Sequence, residues 1–211
     1  WLGRMPGLKR LGILNPKGKD FSALGPLKKL ESLFIEDATQ LQSLDFLASL
    51  NNLRALAVFD AKRLTDISGL KGVPQLEELA IMRGIWNPLK VRTLKPVAAL
   101  KSLTCFRFTA ETADGSLEPL KGLAKLKELY LNLLQPFEEV AKLSAYIAKA
   151  ACQYIAEPYE IGSEMCRKNK SHIGVHVLKG RRDFCRDCHP HKLAEYLAEF
   201  EEIRSRTKRS G

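Results

Sequence analysis

The stretch Leu8-Lys9-Arg10-Leu11-Gly12-Ile13 reads L-x-x-L-x-I, and it decides the fold because the same phrase returns along the chain. The further copies begin at Leu30, Leu53, Leu76, Leu100 and Leu126. The second apolar residues of the six phrases are Leu11, Leu33, Leu56, Leu79, Leu103 and Leu129, at steps of 22, 23, 23, 24 and 26 residues. Self-similarity at such a period predicts a solenoid in which stacked repeats share one core.

Each repeat predicts one strand and one turn. The alternating end of the phrase suits a short strand whose side chains point in and out by turns. Leucines before the phrase recur at every third residue, as in the run from Leu44 to Leu53, and that period suits a 3₁₀ turn. Residues 3–133 therefore resemble leucine-rich repeats of the short, internalin-like type. The resemblance implies an α/β solenoid with parallel concave strands and short convex turns.

The chain changes character after Leu134, where the leucine phrase stops and Gln135–Pro136 gives a helix-start signal. Apolar spacing from residue 137 to about 155 predicts a helix that covers the open end of the solenoid. We expect three parts: a solenoid of about six repeats over 1–134, a capping helix and linker over 135–160, and a small unit with a C-terminal helix and basic tail over 161–211.

The strand residues of each phrase should alternate between the core and the concave surface. The predicted inward set is Leu11/Ile13, Leu33/Ile35, Leu56/Val58, Leu79/Ile81, Leu103/Cys105 and Leu129/Leu131. The predicted outward set is a patch of large apolar side chains with Glu36 in its polar rim: Phe34, Phe59, Met82, Phe106 and Tyr130. Such a patch marks an interaction site, so we predict a protein or peptide ligand on the concave face. The alternative that the chain's own C-terminal segment or a second copy covers the patch stays open.

The C-terminal unit has a cysteine pattern typical of metal sites. Gly174–Leu178 and Arg181–Phe184 predict two strands around a Lys179–Gly180 turn, followed by Cys185-x-x-Cys188. The predicted helix after them has one apolar face of Leu193, Leu197, Phe200 and Ile203. The order resembles a treble-clef zinc finger, although Asn169 stands where the first pair would have its second cysteine.

The treble-clef resemblance implies one structural zinc held by three cysteines and a histidine. The implied ligands are Cys166, Cys185, Cys188 and His172, with His189 or His176 as other choices for the fourth position. The alternative is that the three thiols pack together without a metal.

Two further functions are alternatives to protein binding. The phrase from Cys185 to Lys192 resembles the end of an HNH-type nuclease, in which His189 would bind a catalytic metal, but no Asp-His or His-His pair lies upstream. Residues 166–211 hold 12 Lys+Arg against 6 Asp+Glu, so nucleic-acid binding is the second hypothesis. No Gly-rich phosphate loop or catalytic triad is found, and we predict a protein that is not an enzyme.

The composition agrees with a globular protein. The 211 residues are 45% hydrophobic and carry 34 Lys+Arg against 24 Asp+Glu, a net charge of +10. No apolar run approaches the roughly 18 residues of a membrane span. Five cysteines, an odd number, favour a reducing compartment, and we expect a cytoplasmic protein. The chain begins at Trp1 inside the repeat pattern, so we expect upstream sequence; the oligomeric state stays open.

Overall fold

The computed structural model describes residues 4–84, 87–147, 152, 158–162 and 166–210. The chain divides into two compact units, Trp1–Tyr130 and Leu131–Gly211. Each unit is described by itself below.

The first unit is built on a six-stranded sheet in which the strands follow one another in chain order. The strand pairs from the first repeat to the fifth are parallel. Two further strands of two residues each, in the fourth and fifth repeats, form a separate parallel pair. The eight strands are β1 (Arg10–Leu14), β2 (Ser32–Glu36), β3 (Ala55–Phe59), β4 (Glu78–Met82), β5 (Lys90–Val91), β6 (Cys105–Phe108), β7 (Glu111–Thr112) and β8 (Glu128–Leu131).

Short 3₁₀ helices connect successive strands, and each of these helices contacts the next one along the chain. Their bounds are Ser22–Leu24, Asp45–Ser49, Ser68–Gly72, Lys95–Ala99 and Glu118–Gly122. A side-chain oxygen two residues before the start of each helix accepts a hydrogen bond from the first backbone N–H, at 2.8–3.2 Å. The five capping residues are Asp20, Ser43, Asp66, Thr93 and Ser116. These caps satisfy backbone donors that the short helices leave without a partner.

The core is a stack of leucines and other apolar side chains in register across the strands. Leu33 is paired with Leu56, and Leu56 with Leu79, and all three are at most 2% exposed. At the β1 end of the stack, Leu11 and Ile13 are only half-buried. The fold is a leucine-rich-repeat solenoid, as the period of the sequence predicted.

The predicted register is wrong in the fifth repeat. Strand β6 pairs with β4 so that Phe106 stands opposite Leu79, and Phe106 is 0% exposed. Leu103 is buried but lies before the strand, and Cys105 lies half-exposed on the outward side. Apolar residues recur at every third position here, so the L-x-x-L-x-I pattern can also be matched to the sequence three residues before its true position. The step from Leu79 in the fourth repeat to Phe106 in the fifth is 27 residues rather than 24, because the fourth repeat also contains β5.

The second unit contains helix α1 (Phe137–Leu143), strands β9 (Tyr159–Gly162), β10 (Gly174–Val177) and β11 (Arg182–Cys185), and helix α2 (Pro190–Ser210). The three strands form an antiparallel sheet with β10 in the centre. The Phe137 ring of α1 contacts the rings of Tyr196 and Phe200 on α2, with centroids 5.0 and 5.9 Å apart.

Several predictions for the second unit need correction. The helix predicted over 137–155 ends at Leu143; residues 148–151 and 153–155 of that prediction lie outside the described residues. Strand β9 begins at Tyr159, in a segment predicted to be a linker. The buried face of α2 contains Tyr196 with Phe200 and Ile203, and Leu197 is 37% exposed. The basic tail is helical as far as Ser210.

Among the helices that the structure describes, none combines the length and the apolar character needed to cross a membrane.

Candidate functional site

The outward side of the six-stranded sheet, called the concave face below, presents aromatic side chains at adjacent strand positions. Phe34 on β2 stands opposite Ala57, and Phe59 on β3 stands opposite Met82. The Phe34 and Phe59 rings tilt toward each other with centroids 5.4 Å apart. Both rings and Met82 are half-buried rather than part of the core. The structure therefore brings Phe34, Phe59 and Met82 together as predicted.

A recess lies beside the two rings because the neighbouring outward positions carry small side chains. Ala55, Ala57 and Ala80 line it, and it has a volume of about 290 Å³. Glu78, Cys105 and Arg107 also line the recess.

The wall of the recess on β6 is polar. The Cys105 thiol donates a hydrogen bond to Glu128 Oε2 at 3.5 Å, and the guanidinium of Arg107 lies 3.8 Å from the same carboxylate. Burial raises the pKa of the Cys105 thiol. The recess thus has an aromatic side and a charged side, a combination that suits an amphipathic ligand.

The other residues predicted for the concave patch do not all lie on the concave face. Glu36 lies between Leu14 and Phe59 in the strand register, and Tyr130 on β8 is 42% exposed. Phe106 does not belong to the patch, because its ring is buried and stacks on Phe108 at 5.6 Å. Arg107, which the sequence predicted only in the polar rim around the patch, takes the outward position on β6 beside the recess. Side chains alternate along a strand, so the outward position of Arg107 follows once Phe106 and Phe108 are assigned to the core.

A second candidate site lies in the second unit, where three thiols surround an imidazole. Cys166 and His172 lie in the loop before β10, Cys185 ends β11, and Cys188 lies in the turn before α2. Their four ligand atoms all lie within 4.8 Å of one another. His172 Nδ1 is 3.6 Å from Cys166 Sγ, 3.7 Å from Cys185 Sγ and 3.5 Å from Cys188 Sγ. These four residues, called the Cys₃His cluster below, could hold a metal ion.

The thiols of the cluster differ in acidity. Backbone N–H groups, first that of Asn169 and then that of Lys168, donate to Cys166 Sγ and lower the pKa of its thiol to about 6. The hydrogen bond with the Cys185 side chain and burial raise the pKa of the Cys188 thiol to about 11. The backbone therefore favours the thiolate form of Cys166.

The other two candidate histidines have different neighbours. His189 Nδ1–H donates to the Cys185 carbonyl at 3.3 Å, and His176 Nδ1 lies 2.5 Å from Asp183 Oδ1. Within the part of the chain that the structure describes, the Cys₃His cluster is the one place where three or more potential metal ligands meet. The structure thus favours His172 over His189 and His176 as the fourth member.

The arginines near the hairpin are partly engaged within the unit. Arg181 donates to the Leu134 carbonyl at 2.7 Å, and Arg186 forms an ion pair with Glu160. Arg182 is exposed, as are Arg167 and Lys168 in the loop that holds Cys166. The excess of basic residues therefore does not form a uniform unpaired surface.

No family model matches the chain, and no curated protein matches it. Among solved structures, it is similar to internalin C2 from Listeria monocytogenes, with 28% identity and a TM-score of 0.42 over 54% of this chain and 49% of that one. It is also similar to a leucine-rich-repeat protein from Leptospira interrogans, with 19% identity and a TM-score of 0.49 over 67% of this chain and 36% of that one. The chain spans half or less of the length of each protein.

Proposed function

We propose that the protein is a non-catalytic interaction module that binds a protein or peptide on its concave face. The observation that carries the proposal is the half-buried pair of Phe34 and Phe59 beside a recess of about 290 Å³. Aromatic rings on a surface expose apolar area to water, and covering a large apolar side chain is worth about 1.5–3 kcal/mol. Aromatic anchors beside a pocket are the usual source of binding energy in protein interfaces.

The charges around the rings indicate the chemistry of the partner. Glu36 is the strand neighbour of Phe59, and Asp37 follows it with an exposed side chain. The ion pairs found among the described residues do not include either carboxylate. A partner segment with one large apolar side chain for the recess and a basic side chain facing Glu36 and Asp37 would match this surface. The predicted site residues Phe34, Glu36, Phe59, Met82 and Tyr130 keep their roles in this proposal, and Phe106 loses its role.

The proposal is tested with Phe59→Asp and a matched control outside the six-stranded sheet. A photoactivatable cross-linker at position 34 first captures the partner from native lysate, and the purified partner is then titrated against each variant. We expect Phe59→Asp to weaken binding at least about 30-fold, because a central aromatic anchor contributes about 2 kcal/mol or more. Phe46→Asp is the control, since Phe46 is a half-buried ring in the 3₁₀ helix Asp45–Ser49.

Each other result speaks against the proposal. Equal affinities for the wild type and Phe59→Asp would reject the concave face as the binding surface. Equal losses in Phe59→Asp and Phe46→Asp would attribute the effect to the fold. Light scattering that shows a dimer broken by Phe59→Asp would assign the face to a second copy instead of a partner protein.

The proposal gives no catalytic role to the histidines of the second unit. His176 contacts Asp183, and His189 donates to the Cys185 carbonyl. Divalent-metal-dependent nicking of DNA by the purified protein, removed by His189→Ala, would contradict the non-catalytic assignment.

A further inference from the structure

We propose that Cys166, His172, Cys185 and Cys188 bind one zinc ion through three thiolates and the Nδ1 atom of His172. The inference is independent of the concave face, since it rests on contacts within the second unit alone.

Four of the six separations between the ligand atoms match a tetrahedral zinc centre, and the other two are at most 4.8 Å. With Zn–S of about 2.3 Å and Zn–N of about 2.05 Å, tetrahedral angles place two sulfurs about 3.8 Å apart and a sulfur and a nitrogen about 3.6 Å apart. The three Sγ–Nδ1 distances to His172 are 3.6, 3.7 and 3.5 Å. Cys166 Sγ and Cys188 Sγ are 3.6 Å apart. Four side chains from two separate loops thus have the spacing of ligands around a single ion.

The donor set selects the kind of metal. Three thiolates and one imidazole are soft to borderline ligands, which favour zinc over magnesium, calcium or manganese. Four protein ligands complete a tetrahedron and leave no position for substrate, so the site would be structural. Cys166 and Cys185 are buried, and Cys188 and His172 are half-buried.

The two loops that supply the ligands are tied together by hydrogen bonds that do not involve the ligand atoms. The Ile173 N–H donates to Asp187 Oδ2 at 2.7 Å, and the Arg186 N–H donates to the Ile173 carbonyl at 3.0 Å. Ile173 follows His172 directly, and Arg186 and Asp187 lie between Cys185 and Cys188. Within the second loop, the Cys188 N–H donates to Cys185 Sγ at 3.4 Å. The ligand positions are therefore held before an ion arrives, which lowers the cost of binding.

Asn169 explains how the first loop works without a second cysteine. Its backbone carbonyl accepts a hydrogen bond from the His172 N–H at 3.1 Å. Its side-chain Oδ1 accepts from both the N–H and the hydroxyl of Ser171, at 3.0 and 2.9 Å. The loop therefore continues for three more residues in a fixed turn, and His172 arrives where a cysteine would otherwise complete the pair. Asn169 is a positioning residue of a Cys-x₅-His half-site, and it does not itself bind the metal.

The test uses the full chain. Elemental analysis after purification should show about one zinc per chain. Cobalt substitution should give the ligand-field bands of a tetrahedral site and a thiolate charge-transfer band whose intensity corresponds to three sulfurs. Absence of stoichiometric zinc even after exposure of the reduced protein to Zn²⁺, or a cobalt spectrum typical of oxygen ligands, would overturn the proposal.

Variants identify the fourth ligand. His172→Ala should weaken zinc binding more than about 100-fold, measured by competition with a chromophoric chelator. His189→Ala is the control, because His189 is close in sequence but bonds to the Cys185 carbonyl. The opposite result, in which His189→Ala loses zinc and His172→Ala keeps it, would overturn the ligand set. Circular dichroism of each zinc-free variant separates loss of the site from loss of the fold.

The role of Asn169 has its own readout. Asn169→Ala should weaken zinc about 10-fold to 100-fold while the saturated cobalt spectrum still reports three sulfurs and one nitrogen. Asn169→Asp keeps an oxygen that can accept from Ser171, and it should recover most of the affinity. Unchanged affinity in Asn169→Ala would remove the positioning role, and a loss that Asn169→Asp does not recover would contradict the hydrogen-bond explanation.

Discussion

Replacing Phe106 by alanine tests the register of the fifth repeat, where sequence and structure disagree. The Phe106 ring is 0% exposed, stands opposite Leu79 and stacks on Phe108 with centroids 5.6 Å apart. Truncating a fully buried Phe removes its transfer free energy and leaves a cavity, which together cost about 3–5 kcal/mol. Because a whole domain is stable by about 5–15 kcal/mol, this single change should remove a large part of the free energy of unfolding.

Two further variants provide reference values for the stability loss in Phe106→Ala. Phe34→Ala removes a ring that is half-buried on the concave face, and the lost burial should cost about 1 kcal/mol. Cys105→Ser should change stability by less than about 1 kcal/mol, because Cys105 is half-exposed and already bonds to Glu128.

Equilibrium unfolding in urea, followed by circular dichroism, gives the free energies of all three variants. The urea m-value should stay at the wild-type value, so that the change in midpoint reports stability alone. In the alternative register Phe106 points to solvent and Cys105 lies in the core. A Phe106→Ala loss no larger than that of Phe34→Ala, or a larger loss in Cys105→Ser, would therefore refute the observed register.

Two other predictions concern a helix cap and the basic second unit. Asp66→Ala should destabilise the first unit by about 1 kcal/mol by removing the cap on the Ser68 N–H, and Asp66→Asn should cost less. The hydrogen bond from the Ser68 N–H lowers the pKa of Asp66 below 3.8. The stability advantage of the wild type over Asp66→Ala should therefore be complete above pH 3.8 and should shrink as the pH falls through the lowered pKa. A stability difference that does not depend on pH would contradict this explanation. Binding of the full chain to single-stranded DNA, followed by fluorescence anisotropy, should be weak and vanish with added salt, since Arg181 and Arg186 have intramolecular partners. Tight binding abolished by Arg182→Glu would instead favour the nucleic-acid hypothesis.

The architecture of the first unit was predictable because every repeat has to bury the same side chains. A strand such as Ala55–Phe59 carries Leu56 and Val58 inward, and both are at most 2% exposed. The register of the fifth repeat was not predictable from leucines alone, since Leu100, Leu103 and Phe106 continue one three-residue period. The capping residues offered a better guide, because Thr93 and Ser116 mark the turns on either side of β6.

The four residues of the Cys₃His cluster were predictable from the sequence, but the hydrogen bonds that position them were not. Cysteines and a histidine near a hairpin and a helix start are recognisable by residue type and order. The contacts that place His172 come from the Asn169 turn and from the bonds between Ile173 and the Arg186–Asp187 segment, which depend on folded geometry. Strand β9 was missed for a similar reason, since Tyr159 and Glu160 gain their role only by pairing with β10.

The concave-face proposal is tested most directly by the dissociation constant of the purified partner for the wild type, Phe59→Asp and Phe46→Asp, with the zinc content of all three proteins kept equal. We expect the constant to rise at least about 30-fold in Phe59→Asp and to stay within about twofold in Phe46→Asp. A constant that does not change in Phe59→Asp would contradict the concave face as the binding surface.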